Sequence, residues 1–181
     1  MDIFAPANQP TNHRLELYTQ HLIITGTVTS PFKRISDILN KGDSLFLKVE
    51  VARITPLGKQ PAQKPVEGAV MVSLEHLQFV VEQLDKTPAA MHQGQPPADL
   101  EVRTAFVQKD HHACFAITGT YAVYGYCYLH PGASLESLLH GMDTFIPVTN
   151  ASLYLVADSR SWSRDLVVIN RNMISAMYLT S

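Results

Sequence analysis

The amino-acid sequence predicts a mainly β protein with two tandem small β-barrel or β-meander units, each with one short helix, related by internal duplication. Two observations predict this fold class. Runs of alternating apolar and polar residues, typical of half-buried strands, recur along the 181-residue chain. The same series of elements also occurs twice, about 100 residues apart, which is the sequence signature of a repeated structural unit.

The two series agree in order and spacing more than in identity. The first consists of HLIITGTVT, RISDILN, FLKVEVARI and VMVSLEHLQFV, and the second of YAVYGYCYL, SLESLLH, FIPVTNASL and VVINRNMISAM. The alignment pairs these residues: Gly26 with Gly125, Leu39 with Leu139, Phe46 with Phe145, Val49 with Val148, and Ala52 with Ala151.

The predicted domain boundaries follow from this alignment. A first repeat at 14–84 and a second at 100–181 are joined by a linker at 85–99, which contains three prolines and no apolar periodicity. Residues 1–13 are expected to be a frayed tail, with order beginning near Arg14. A unit of this size buries only about 60% of its unfolded surface, so we expect the halves to pack on each other or on another protomer.

Individual elements can be predicted from local signals. Gly26 and Gly125 interrupt strands, which indicates a bulge, a bend or the close approach of another backbone. The segments ISDILN and LESLLH each place three apolar residues at i, i+3 and i+4, predicting short helices with an apolar face, the second capped by Ser134. The stretch 73–84 fits either a capped helix or strand, tight turn and strand, and we favour the second.

Phe46, Val49 and Ala52, with their counterparts, begin the long strand of each unit. In a regular strand Phe46 and Ala52 share one face and Val49 points to the other, so both faces must be covered. Because the short helix covers only one face, we expect the other unit to cover part of the second.

Composition restricts the setting. The chain has 14 basic and 16 acidic residues, a formal charge of -2, and no long run of either sign. We therefore expect no nucleic-acid or membrane partner. The amino terminus has neither a basic start nor an apolar run, and no stretch approaches a spanning helix, so we expect a soluble cytoplasmic protein.

Metal-ligand residue types cluster only at His111, His112 and Cys114. On a strand His112 and Cys114 point to one face and His111 to the other, which supplies two ligands at most where zinc needs three or four. We expect a polar turn between strands and no metal. Cys114 and Cys127 both lie in apolar runs and are expected to be free buried thiols.

Aromatic residues mark the candidate binding surface. Tyr124, Tyr126 and Tyr128 fall on one face of a regular strand. Because few basic residues accompany them, we favour a tyrosine-lined protein interface, or tyrosines packed on a sheet, over base stacking. Trp162, between Arg160 and Arg164, is either a solvent-reaching contact or a ring folded back on the core.

The order strand, short helix, long strand, strand, tight turn and strand, with VVIN followed by Ile174, resembles a small SH3-like or Sm-like barrel. Sm-like proteins carry their helix before all strands, whereas RISDILN follows one, and their RNA-contacting Asp and Asn pattern is missing here. The stretch PGASLESLLHGMDTFIPVTNASLYL is also similar to uncharacterised bacterial proteins in which an LxDxLN helix precedes an FIPLTDA strand. The resemblance implies a fold and brings no functional residue.

The sequence contains no HExxH, CxxC, glycine-rich phosphate loop or nucleophile elbow. We therefore expect no catalytic residue and no cofactor. The leading hypothesis is a non-enzymatic protein-interaction or assembly module that binds a protein partner or associates with itself. The alternative is a sensor of a small ligand or nucleotide, bound between the two repeats.

Overall fold

A computed structural model describes residues 9–57, 62–83, 109–156 and 160–180. In the described residues the N-terminal half contains β1 to β6 and the C-terminal half β7 to β11; the predicted linker at 85–99 lies outside them. The strands are β1 (Thr11–Tyr18), β2 (Leu22–Ser30), β3 (Phe46–Pro56), β4 (Lys64–Pro65), β5 (Val70–Ser73), β6 (Phe79–Glu82), β7 (Asp110–Thr118), β8 (Tyr121–Leu129), β9 (Phe145–Leu155), β10 (Ser161–Asn170) and β11 (Ile174–Thr180).

The strands form one open antiparallel sheet in the order β11-β7-β8-β9-β10-β6-β1-β2-β3-β4, with β5 paired to β3. The predicted mainly β fold is confirmed. The sheet as a whole does not close into a barrel. The two halves join where β10 pairs with β6, so the strands of both halves belong to the same sheet.

Both short helices are present where the sequence predicts them. Helix α1 spans Ile35–Lys41 and buries Ile35, Ile38 and Leu39, and α2 spans Leu135–Leu139. Ser134 caps α2, because its hydroxyl accepts a hydrogen bond from the backbone of Ser137 while the Ser137 hydroxyl accepts one from the Ser134 backbone.

The ambiguous stretch that begins at Ser73 is strand, turn and strand, as favoured. Strand β5 ends at Ser73, a 3-10 turn spans Leu74–His76, and β6 begins at Phe79. In the C-terminal half a 3-10 turn at Arg171–Met173 joins β10 to β11 in the same way. The first strand starts at Thr11 rather than near Arg14.

Gly26 and Gly125 mark bulges at which the neighbouring strand comes too close for a side chain. A Cβ added to Gly26 would lie 2.5 Å from Val49 Cγ1, and one added to Gly125 would lie 2.6 Å from Val148 Cγ1. The facing strand carries one extra residue at each place. This confirms the prediction of a bulge with a close backbone approach.

The alternation expected along the long strand, with Phe46 and Ala52 on one face and Val49 on the other, is wrong. Val51 has a φ of 51°, in the left-handed region, and the extra residue at this bulge reverses the alternation. Val49 and Ala52 consequently share the buried face, whereas Phe46 lies on the opposite face and is 46% exposed. The same bulge occurs on β9, where Asn150 has a φ of 48°.

Phe145, in contrast, is covered by the other half as expected. It is 2% exposed and belongs with Val168 to an apolar cluster whose other buried members come from the N-terminal half. We call this the N-terminal cluster. A second, C-terminal cluster contains Tyr18, Phe79 and Val81 from the N-terminal half. Each half thus completes the core of the other.

Candidate interaction surface

Tyr124, Tyr126 and Tyr128 alternate along β8 with buried residues, and they point away from the C-terminal cluster. Tyr124 and Tyr128 are exposed and Tyr126 is half-buried. The strand keeps its alternation here, so the three tyrosines share the outer face of the sheet, as the sequence predicts.

Adjacent strands add further rings to this face. Phe115 on β7 pairs with Tyr124 on one side and with Tyr178 of β11 on the other. The rings of Phe115 and Tyr178 stack with their centroids 5.3 Å apart. The His111 ring lies 5.7 Å from that of Tyr126. We call the outer surface formed by these residues the aromatic face: His111, Phe115, Tyr124, Tyr126, Tyr128 and Tyr178.

Sequence reasoning missed Phe115 and Tyr178 as members of this surface. Each lies at an outward position of its strand, so alternation alone could have found their orientation. Their closeness to Tyr124 depends on the register of three strands, two of which are separated by more than 40 residues of chain. No local signal carries that register.

Trp162, Arg160 and Arg164 do not join the aromatic face. The Trp162 ring packs against the C-terminal cluster, stacked at 6.3 Å from Tyr18 and edge-on to Tyr121 at 6.1 Å. This is the folded-back arrangement. Arg160 is exposed immediately before β10, and its carbonyl accepts a hydrogen bond from the Leu155 backbone.

Arg164 takes part in a polar network at the junction of the halves. Its guanidinium lies 3.2 Å from a carboxylate oxygen of Glu16 on β1. The same carboxylate accepts hydrogen bonds from the Tyr18 hydroxyl at 2.8 Å and from Gln83 at 2.7 Å. Burial, and secondarily the nearby Glu16 charge, raises the pKa of Tyr18 well above its ordinary value. The network links the two halves. Arg164 therefore forms an ion pair inside the molecule, with Glu16.

The remaining candidates lie in separate environments. Cys114 and Cys127 are free buried thiols on neighbouring strands. Their mutual hydrogen bond, together with burial, raises the pKa of Cys114. His111 is exposed and His112 half-buried, on opposite faces of β7, so this segment is strand and the expected polar turn is wrong. Among the residues that the structure describes, no group of three or more His, Cys, Asp or Glu could hold a metal ion.

Comparisons with known proteins return no counterpart. No family model matches the chain, and neither the curated proteins nor the solved structures contain a significant match. Within the described ranges, no helix has the length and apolar character needed to cross a membrane.

Proposed function

We propose that the chain is a non-enzymatic protein-interaction module whose contact surface is the aromatic face. The observation that carries this proposal is the exposure of tyrosines on adjacent strands: Tyr124, Tyr128 and Tyr178 are each between 40% and 51% exposed. Tyrosine contributes a large apolar contact area and a polar hydroxyl at low entropic cost, and it is enriched in protein interfaces. A rigid sheet holds these rings in place before a partner arrives.

Charge favours a protein partner over a nucleic acid. Strands that stack bases on aromatic rings also provide a basic groove for the phosphates. Here the formal charge is -2, and Arg164 is held by Glu16 at the junction of the halves. The charge balance therefore gives no support for a single-stranded nucleic acid as the partner.

We also propose that the halves are duplicated, small barrel-like units. In each half the last strand returns to pair with the first, β6 with β1 and β11 with β7. Leu15 faces Gly26 in the first half as Cys114 faces Gly125 in the second. The residue with positive φ also occurs at matching positions, Val51 and Asn150. The shared register, bulge and backbone conformation support a common origin.

A sensor that binds its ligand between the halves is the weaker alternative. Such a site needs a concave space lined by converging polar groups. At the junction, Phe145 and Val168 pack into the N-terminal cluster, and Tyr18 stacks on Phe79 at 4.3 Å. Side chains fill this region, which argues against a ligand there.

The test is affinity capture of proteins from an extract of the native cells. The immobilised native chain is compared with the double variant Tyr124→Ala/Tyr128→Ala. Thr25→Ala/Thr29→Ala is the matched control, because these threonines occupy the corresponding positions on β2. We expect a specific protein to be retained by the native chain and by the control and lost with the tyrosine variant. With that protein purified, the tyrosine variant should bind at least about tenfold more weakly. Equal retention by both variants would refute the proposed surface.

A further inference from the structure

The joint between the halves is a strand pairing reinforced by two inserted side chains. Strand β10 pairs with β6, with Val168 opposite Val80. Phe145 and Val168 are 2% and 0% exposed because they enter the N-terminal cluster. The side chain of Asn40 on α1 fixes the same joint, donating to the Phe145 carbonyl and accepting from the Phe145 amide, both at 2.8 Å.

At the outer end of the N-terminal half, the two positions that correspond to Phe145 and Val168 are exposed. Strand β5 pairs with β3 as β10 pairs with β9, and in this correspondence Phe46 matches Phe145 and Met71 matches Val168. Phe46 is 46% exposed and Met71 is 59% exposed. Within the described residues β5 pairs only with β3, so its other edge is open.

The far end of the C-terminal half presents the receiving groove. Between α2 and β11 lies a cavity of about 580 Å³ that has His140 and Arg171 among its lining residues. Strand β11 ends the described sheet and pairs only with β7. The apolar lining of the groove corresponds to residues that surround Phe145 and Val168 at the internal joint: Leu139 to Leu39, Ile174 to Leu77, and Met177 to Val80.

We propose that the chain associates head to tail with further copies of itself, β5 of one copy pairing antiparallel with β11 of the next. Phe46 and Met71 enter the groove between α2 and β11. A sheet edge is a ready template for such pairing, and the internal joint supplies its geometry. Transferring the register of the internal joint places these residues opposite each other: Val70 and Tyr178, Met71 and Met177, Val72 and Ala176.

The joint between copies is weaker than the internal one. Asn170 donates its side-chain amide to the carbonyls of Leu74 and Leu77 across the internal joint, and the shorter Ser73 stands in its place on β5. His140 occupies the position that corresponds to Asn40. The pair of hydrogen bonds that Asn40 makes to the Phe145 backbone therefore has no equivalent at the Phe46 backbone in the joint between copies. Association is therefore reversible and depends on concentration. A head-to-tail contact of this kind closes into a ring or continues as a filament.

The inference rests on the correspondence between the halves and uses a different surface from the aromatic face. The test is analytical ultracentrifugation of the full chain over a range of concentrations. The native chain should form multiples of its own mass, and Met71→Lys should weaken association at least tenfold. Tyr154→Lys, a change at a position on β9 that is 45% exposed, and the Tyr124→Ala/Tyr128→Ala variant should associate like the native chain.

Disulfide trapping tests the register. The double variant Val70→Cys/Tyr178→Cys should form covalent oligomers of increasing size under mild oxidation, since these residues face each other between copies. The control Val70→Cys/Tyr154→Cys should not. A single chain at every concentration would overturn the proposal. So would association that survives Met71→Lys, or efficient cross-linking of Tyr178→Cys alone, which indicates pairing of two β11 edges.

Discussion

The outer faces of the two halves share a register and differ in chemistry. In the N-terminal half Glu16 pairs with Thr25 and Asn12 with Thr29, and a hydrogen bond joins Asn12 to Thr29. At the corresponding places of the C-terminal half, the pairs are Phe115 with Tyr124 and His111 with Tyr128. The outward residues at these places are thus polar in one half and mostly aromatic in the other.

This difference shows that the outward residues of a sheet can change while the buried residues and the strand pairing stay the same. The inner residues of both halves are apolar and buried because they must exclude water from a shared core. The outward residues are free of that requirement. At these matched positions only the C-terminal half carries aromatic rings, which supports the proposal that this surface binds a partner.

The largest expected effect separates the two phenylalanines. Phe145→Ala should lower the free energy of unfolding by roughly 3 to 5 kcal/mol, because it removes a ring buried in the core of the opposite half. Phe46→Ala, at an exposed position, should cost less than about 1 kcal/mol when dilute. Denaturant unfolding followed by circular dichroism and tryptophan fluorescence should show one transition that moves as a whole. Two transitions, only one of them shifted, would show that the halves are independent.

The bulge glycines should respond alike. Gly26→Ala and Gly125→Ala each place a methyl group against the bulge of the facing strand, where backbone oxygens lie within 2.8 Å. We expect both to destabilise by about 1 to 3 kcal/mol, the usual cost of overpacking. Thermal unfolding measures this. A cost at only one position would break the correspondence between the halves.

Substitutions at Asn40 and His140 compare the joint between the halves with the far end of the C-terminal half, where His140 lies beside the groove between α2 and β11. Asn40→Ala removes both hydrogen bonds to Phe145 and should cost about 1 to 3 kcal/mol, since buried backbone groups lose their partner. His140→Ala should stay within about 0.5 kcal/mol. Urea titration of the dilute chains provides the comparison. Equal effects would remove Asn40 as a determinant of the joint.

The smallest effect concerns Tyr18 at high pH. Its pKa is raised above 10.0 in the folded chain, so the unfolded state loses the phenol proton first as the pH increases. The stabilisation is therefore fully present below pH 10.0 and declines above it. Tyr18→Phe should make stability above that pH less steeply pH-dependent than in the control Tyr154→Phe. The difference in phenolate absorbance between the native chain and Tyr18→Phe should appear only when the chain unfolds; a difference that appears while the chain is still folded would contradict the assignment.

The sequence by itself determined the elements of the fold. Alternating apolar residues specify the strands, the apolar stripe with Ser134 specifies α2, and Gly26 and Gly125 mark the bulges. Each signal is local, because side-chain direction and backbone conformation depend on neighbours along the chain. The three tyrosines of β8 were found for the same reason.

Tertiary structure alone decided which residues meet across the sheet. Phe46 and Phe145 occupy matching places in the sequence, yet one is exposed and the other buried, because only β9 has another half packed beside it. Phe115 and Tyr178 join Tyr124 through pairings between distant strands. The register between distant strands is determined by which face of each strand is buried in the common core. A short stretch of sequence does not contain that information.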